Sequence, residues 1–240
     1  MSLSIFIPCR NEEKIIVHSI SSLVKKIKIS DYEIILINDY SADKTEEFLK
    51  LLQIKYKNVK YFNNNLTPGL GSSFNIALKK ASKSFFCIYM SDMSDDIKNL
   101  AMYYRVIVKK DLDAIFGSRF LKQSKVYDYP KSKLLFNRIF NFLIKILFWS
   151  DYNDFTNAFK MYKLSVLKKL IPIVSESFNV FLEIPLKIIS RNYSYKIVPI
   201  NWTNRKIGKS KFIIAELGSR YVFTALYCWL EKVLLLKRRK

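Results

Sequence analysis

The residues best placed to do chemistry are three carboxylates within five positions, Asp92, Asp95 and Asp96, directly after the apolar run Phe85–Met90. Such a run reads as a short buried strand. Acids crowded at a strand end repel one another unless a cation sits among them, and hard oxygen ligands suit Mg2+ or Mn2+. Open α/β sheets bind ligands beyond the carboxyl ends of their strands, so the stretch reads as a cation site for a phosphate-bearing substrate. It also reads as a helix start, with Asp95 or Asp96 as N-cap. Both hold if Asp92 takes the metal and a later acid takes the cap.

Other chemistries are poorly supplied. His18 is the only histidine; it falls within an expected helix, as a surface residue, and leaves no multi-histidine metal site. Cys9, Cys87 and Cys228 are odd in number and far apart, which reads as reduced thiols rather than a disulfide framework. The net charge of +21, from 41 basic and 20 acidic residues, points to an anionic partner: phosphate-bearing substrate, anionic lipid or nucleic acid. No nucleic-acid motif accompanies it. Arg10, Glu12 and Glu13 interrupt the N-terminal apolar stretch, against a signal peptide.

The elements that must position these residues alternate. Strands are expected over 2–8, 32–38, 59–62, 85–90 and 113–117, and helices over 11–28, 44–54, 72–81 and 97–110. Asn11 is expected as the first N-cap. The pattern implies an α/β fold with a largely parallel sheet. Pro68-Gly69-Leu70-Gly71 lies in the polar loop before the third helix, either as a plain tight turn or as a place where backbone N–H groups meet phosphate.

After Arg119 the pattern changes. Leu134–Trp149 is apolar except for Asn137, Arg138, Asn141 and Lys145, and residues 137, 141 and 145 form one narrow stripe of a helix. It covers about 24 Å against a hydrocarbon core of about 30 Å. It is therefore either buried or interfacial, and Lys131 and Lys133 favour an anionic interface. Helices are expected over 165–170 and 180–190, with Glu183 in an apolar setting, and a strand over 195–200. Asn204–Lys211 is a basic loop with one glycine, suited to gripping phosphate. The apolar stretch 212–236 and Lys237–Lys240 repeat the pairing of apolar helix and basic end. A division follows: a catalytic domain over 1–211 and a membrane-associating helix with basic tail over 212–240.

Taken in order, the motifs resemble those of family 2 glycosyltransferases, in the dolichyl-phosphate mannosyltransferase-like branch. Pro8-Cys9-Arg10-Asn11-Glu12-Glu13 is similar to the opening Pro-x-x-Asn-Glu-Glu. Asn38-Asp39-Tyr40-Ser41-Ala42-Asp43-Lys44-Thr45 resembles Asp-Asp-Gly-Ser-x-Asp-x-Thr. Gly69-Leu70-Gly71, Gly117-Ser118-Arg119-Phe120, Asn137-Arg138, Asp154-Phe155-Thr156-Asn157-Ala158-Phe159-Lys160 and Arg205-Lys206-Ile207-Gly208-Lys209-Ser210-Lys211 continue the likeness across the chain. Two positions depart from it. The usual Asp-x-Asp is Met90-Ser91-Asp92, with Ser94 where Gln often follows, closer to a branch reading Ala-Asp-Leu-Ser-Asp-Asp; and Asn38 replaces the first aspartate of the nucleotide pair.

The resemblance implies a GT-A-type fold, a nucleoside-diphosphate sugar donor and a polyprenyl phosphate acceptor at the cytoplasmic face of a membrane, bound peripherally. It implies Pro8, Arg10, Glu12, Asp39 and Asp92 at the donor, Asp92 and Ser94 on Mg2+ or Mn2+, and Asp92, Arg119, Arg138, Arg205 and Lys211 as catalytic residues. Alternatives are a glycosyltransferase with a soluble or cell-envelope saccharide acceptor, or a degenerate membrane-associated partner protein.

Overall fold

The computed structural model describes residues 2–205, 207 and 214–237. Its centre is a seven-stranded mixed sheet. In chain order the elements are β1 (Leu3–Cys9), α1 (Ile16–Lys26), β2 (Tyr32–Asn38), α2 (Thr45–Lys55), β3 (Val59–Asn63), α3 (Leu70–Lys80), β4 (Phe85–Ile88), α4 (Ile97–Lys109) and β5 (Ala114–Ser118). There follow β6 (Val126–Tyr127), α5 (Lys131–Phe148), β7 (Lys160–Lys163), α6 (Leu164–Lys169), α7 (Val180–Ser190), β8 (Tyr195–Pro199), β9 (Trp202–Thr203) and α8 (Ile214–Lys237). The sheet order is β3-β2-β1-β4-β7-β5-β8. All neighbours are parallel except β7, which runs antiparallel between β4 and β5. A second sheet, missed by sequence reasoning, pairs β6 with β9.

Strand alternation divides the core in two. Phe6, Ile35, Ile37, Phe86, Ile88 and Phe116 face α3 and the later helices. Ile5, Ile7, Ile34, Leu36, Cys87 and Ile115 face α1, α2 and α4. Both faces of the inner strands are thus covered, which is why they read as continuous apolar runs. The three cysteines are buried and form no disulfide, and His18 is exposed.

Because β1, β2, β4 and β5 point the same way, Cys9, Asn38, Ile88 and Ser118 end along one edge of the sheet, and the segments that follow them carry Arg10, Glu12, Asp39, Asp92 and Arg119. The opposite edge is pinned by Glu33, which accepts from the hydroxyls of Ser4 and Ser82, the Ser82 N–H and Lys60 Nζ. Burial raises the Glu33 carboxyl, but these donors outweigh it and hold it below its usual range.

The first helix is shorter than expected. It begins at Ile16, and Asn11 takes a left-handed backbone, φ 51°. Its side chain accepts from the Ala42 N–H at 2.8 Å, so Asn11 ties the loop after β1 to the loop after β2 and caps nothing. Gly69 and Gly71 give a tight approach, not a phosphate cradle. The Gly71 N–H donates to Glu176 O and the Gly69 N–H to Asp39 Oδ1. A Cβ at Gly71 would lie 1.9 Å from Ser175 O, so the glycines let α3 seat against the loop before α7. That loop is held in turn by Glu183, buried and paired with Lys187, which accepts from the Val174 and Ser175 N–H groups.

The helix α5 presents its polar stripe inward. Asn141 is buried, donates to Asn137 and accepts from the Phe155 N–H, while Asn137 donates to Thr156. Leu135, Phe136, Ile139, Phe142, Leu143, Ile146 and Trp149 face solvent, Trp149 at 93% exposure. Val222, Phe223, Leu226 and Leu230 do the same on α8. No helix among the described residues is long and apolar enough to cross a membrane.

Candidate active site

The residues expected at the donor meet at the strand ends. Pro8 is buried in β1 beside Ile37. Arg10 Nη1 lies 3.6 Å from Asp39 Oδ2. Asp39 is buried, and its Oδ1 accepts from Asn64 Nδ2 at 2.7 Å and the Gly69 N–H at 2.9 Å. A carboxylate so fixed can present its other oxygen to a nucleoside without reorganising. Glu12 is bound to the second loop through its own N–H, which donates to Thr45 Oγ1.

Arg205 joins this donor side to the acids after β4. Its Nη2 donates to Glu12 Oε1 at 3.0 Å, and its Nε lies 3.4 Å from Asp92 Oδ2. The contact links residues far apart in the chain and puts Glu12, Asp92 and Arg205 at one place. Lys211, expected beside Arg205, falls outside the described residues, as do Gly208 and residues 238–240 of the basic tail. The expected boundary near residue 211 falls there too.

The three acids separate by role. Asp96 is the N-cap of α4, its side chain accepting from the Lys98 N–H at 2.9 Å. Asp92 Oδ1 accepts from the Ser94 N–H at 3.1 Å. Asp95 is buried, and its Oδ1 has no hydrogen-bond partner. Burial, with the nearby Asp92 charge adding, pushes its carboxyl up to about 8. Asp92, Ser94 and Asp95 line one cavity with Met90, Arg119, Lys133 and Asn137, about 210 Å³ in volume.

Among the described residues no group of three or more His, Cys, Asp or Glu could hold a metal. Mg2+ commonly takes one or two carboxylates and completes its shell with substrate phosphates and water, so Asp92 with the Ser94 hydroxyl fits such an ion in the presence of a diphosphate.

Arg119 is more deeply committed than its motif suggests. Its N–H and Nε both donate to Asp154 Oδ2 at 2.8 Å, and Nη2 donates to Oδ1 at 2.6 Å. Its guanidinium carbon also lies 5.2 Å, 5.8 Å and 5.6 Å from the ring centres of Phe120, Tyr129 and Trp202. Arg119 therefore shapes the cavity wall as well as charging it. Arg138 is exposed on α5, its guanidinium carbon 4.8 Å from the Phe120 ring centre. It lines a neighbouring groove with Arg119, Lys131, Leu134, Leu135 and Val126.

Sequence reasoning assigned no role to Asp154 or Lys160, although both lie in a quoted motif. Lys160 is fully buried and donates to the carbonyls of Phe155, Asn157 and Phe181. Burial pushes its ammonium down to about 7, against the pull of Asp154. It holds the loop carrying Asp154 and Thr156 against α7. The sequence signal was available: a lysine and an aspartate six apart, flanked by aromatics.

Comparison with known proteins gives the family and the fold. The family model for "Glycosyl transferase family 2" matches residues 4–171. The chain is 28% identical over 221 residues to a dolichol-phosphate mannosyltransferase of Pyrococcus furiosus, covering 88% of this chain and 59% of that one. It is 20% identical over 232 residues to the glycosyltransferase AglD of Haloferax volcanii, covering 93% and 37%. It thus spans between about a third and three fifths of these relatives' lengths. Among solved structures it is similar in fold to glucosyl-3-phosphoglycerate synthase of Mycobacterium tuberculosis in complex with Mn2+, UDP and glucosyl-3-phosphoglycerate. The TM-score is 0.72 at 14% identity, over 95% of this chain and 79% of that one. A complex of the same protein with Mg2+ and UDP matches at a TM-score of 0.71.

Proposed function

This chain belongs to glycosyl transferase family 2, and we propose that it moves a sugar from a nucleoside-diphosphate sugar to a polyprenyl phosphate, with inversion, at the cytoplasmic face of a membrane. One observation carries the acceptor: the cavity lined by Asp92 and Ser94 is also lined by Lys133 and Asn137 of α5, a helix that carries an exposed apolar face. A lipid phosphate is the acceptor that needs both surfaces together. The relationship to a dolichol-phosphate mannosyltransferase supports this reading.

The chemistry suits the residues. A phosphate monoester is largely dianionic at neutral pH, so its oxygen can attack the anomeric carbon without a general base. The new bond joins that carbon to the acceptor phosphate as the bond to the nucleoside diphosphate breaks from the opposite side. Arg10, Glu12 and Asp39 hold the nucleoside. A divalent cation on Asp92 and Ser94 would neutralise the leaving diphosphate. Arg119, held flat by Asp154, and Arg138 present guanidinium groups to the acceptor phosphate, which Arg can grip bidentately. Arg205 bridges Glu12 and Asp92 and would neutralise charge where donor and cation meet. The test is incubation with membranes and a panel of labelled nucleotide sugars. Label in an organic-extractable, mild-acid-labile product supports the proposal; label only in a water-soluble product favours a soluble saccharide acceptor.

Arg138 separates acceptor from donor. Arg138→Ala should raise the apparent KM for polyprenyl phosphate about ten- to a hundredfold, the scale of one lost charge-assisted hydrogen bond. Calorimetry with the nucleoside diphosphate should show nearly unchanged affinity. Equal weakening of both would mean that Arg138 serves the donor.

Membrane attachment follows from the outward faces of α5 and α8. The chain should pellet with anionic liposomes and be partly released by high salt or alkaline pH. Phe136→Asp with Leu143→Asp puts two charges on the exposed face of α5 and should leave most of the protein in the supernatant at low salt. Pelleting undiminished by that change would place the contact elsewhere.

A further inference from the structure

Two of the three acids after β4 have tasks the structure accounts for. Asp96 caps α4, and Asp92 is engaged by the Ser94 N–H and Arg205. Asp95 is left over. It is 5% exposed, its Oδ1 has no hydrogen-bond partner, and it lines the same cavity as Asp92 and Ser94. Its main chain is firmly held: the carbonyl accepts from the Tyr89 hydroxyl at 3.0 Å, and the residue bridges to Trp202. The cations nearby are engaged by other groups. Arg119 is bound to Asp154, and Lys160 donates to three backbone carbonyls. A buried carboxylate oxygen without a partner is costly, and such groups call for an explanation such as a bound ion or a catalytic role. Two positions before Asp92, where a second acid would serve a cation, stands Met90.

We propose that Asp95 is a second protein ligand of the divalent cation, supplying from three residues after Asp92 the carboxylate that position 90 lacks. The inference rests on the reading of this loop as the metal and diphosphate site. It makes the site a two-carboxylate one, within the usual pattern for Mg2+ bound with substrate phosphates. It also explains why an acid is kept where the fold gives it no partner: its oxygen is satisfied only when the cation is bound.

The test is Mn2+ binding to the full chain, followed by the electron paramagnetic resonance signal of free Mn2+, with the metal alone and with UDP or GDP. Asp95→Asn should weaken Mn2+ at least tenfold without lowering Tm, since an uncharged amide replaces an unpartnered acid. Asp92→Asn should weaken it further, and Asp96→Asn should leave it unchanged. Asp95→Glu restores a carboxylate and should recover part of the affinity; a merely structural role would leave the bulkier Glu worse than Asn. Wild-type affinity in Asp95→Asn beside loss in Asp92→Asn would overturn the role of Asp95 alone. Unchanged affinity in Asp92→Asn as well would overturn the metal-site reading on which it rests.

Discussion

Asp92→Asn should lower turnover at least a hundredfold while leaving the fold intact. The side chain makes two contacts of different kinds. Oδ1 accepts from the Ser94 N–H at 3.1 Å, and an Asn oxygen can keep that bond. Oδ2 carries the charge that faces Arg205 at 3.4 Å and would face a cation on a leaving diphosphate. The substitution therefore removes charge and little packing. Arg205 keeps its contact with Glu12 at 3.0 Å, so the loop is not cut loose. Loss of one preorganised electrostatic contact in a transition state costs a factor of about 100 to 1,000. The checks are steady-state kinetics of the variant and of wild type in excess EDTA, beside thermal melts. Full activity of the variant would remove Asp92 from the mechanism, and full activity of wild type in EDTA would remove the cation; a large fall in Tm would show instead that the loop needs the charge to fold.

Much of this site was legible before any coordinates. Strands that end on one edge of a parallel sheet must bring their following loops together, so the segments after β1, β2, β4 and β5 converge by topology. The alternating pattern placed Asp92 at a strand end, and the family resemblance brought Arg10, Asp39 and Arg119 to the same site. What stayed hidden depended on partners far along the chain or on two-residue elements. β7 is only four residues, Lys160–Lys163, within a polar and aromatic stretch without clear alternation. The β6–β9 ladder is two residues a side, below what periodicity can report. The cap could be narrowed to Asp95 or Asp96; only the side-chain geometry separates a capping acid from a buried one. Asn11 misled for a related reason. Its residue type suits a cap, but here it bonds across to the second loop. The inward stripe of α5 shows the converse. The spacing of Asn137 and Asn141 was plain, yet only their bonds to Thr156 and the Phe155 N–H show that the polar side faces the protein and the apolar side faces out.

Asp154→Asn should cost about 3–5 kcal/mol, the penalty for leaving a buried charge without its counter-ion. Asp154 is fully buried, and Arg119 is 7% exposed. Burial opposes the Arg119 charge, but Asp154 outweighs it and raises the guanidinium above its usual range; arginine is not deprotonated in proteins, so the charge remains when its partner is lost. An Asn would keep one acceptor oxygen but turn an amide N–H toward a donor, breaking one of the paired bonds at 2.8 Å and 2.6 Å. For a chain of this size that penalty lowers Tm by roughly 10 °C. The Arg119 rings of contact with Phe120, Tyr129 and Trp202 would shift with it, so activity should fall beyond the fraction unfolded. A paired variant separates the two effects. Arg119→Met with Asp154→Leu removes both charges and fills similar volume, a change that is often neutral or stabilising for a buried ion pair. It should recover most of the lost Tm and none of the activity, because the cation offered to the acceptor phosphate is gone. If Asp154→Asn melts with wild type, the pair is not what holds this wall of the cavity. If the double variant turns over at the wild-type rate, Arg119 has no part in the reaction.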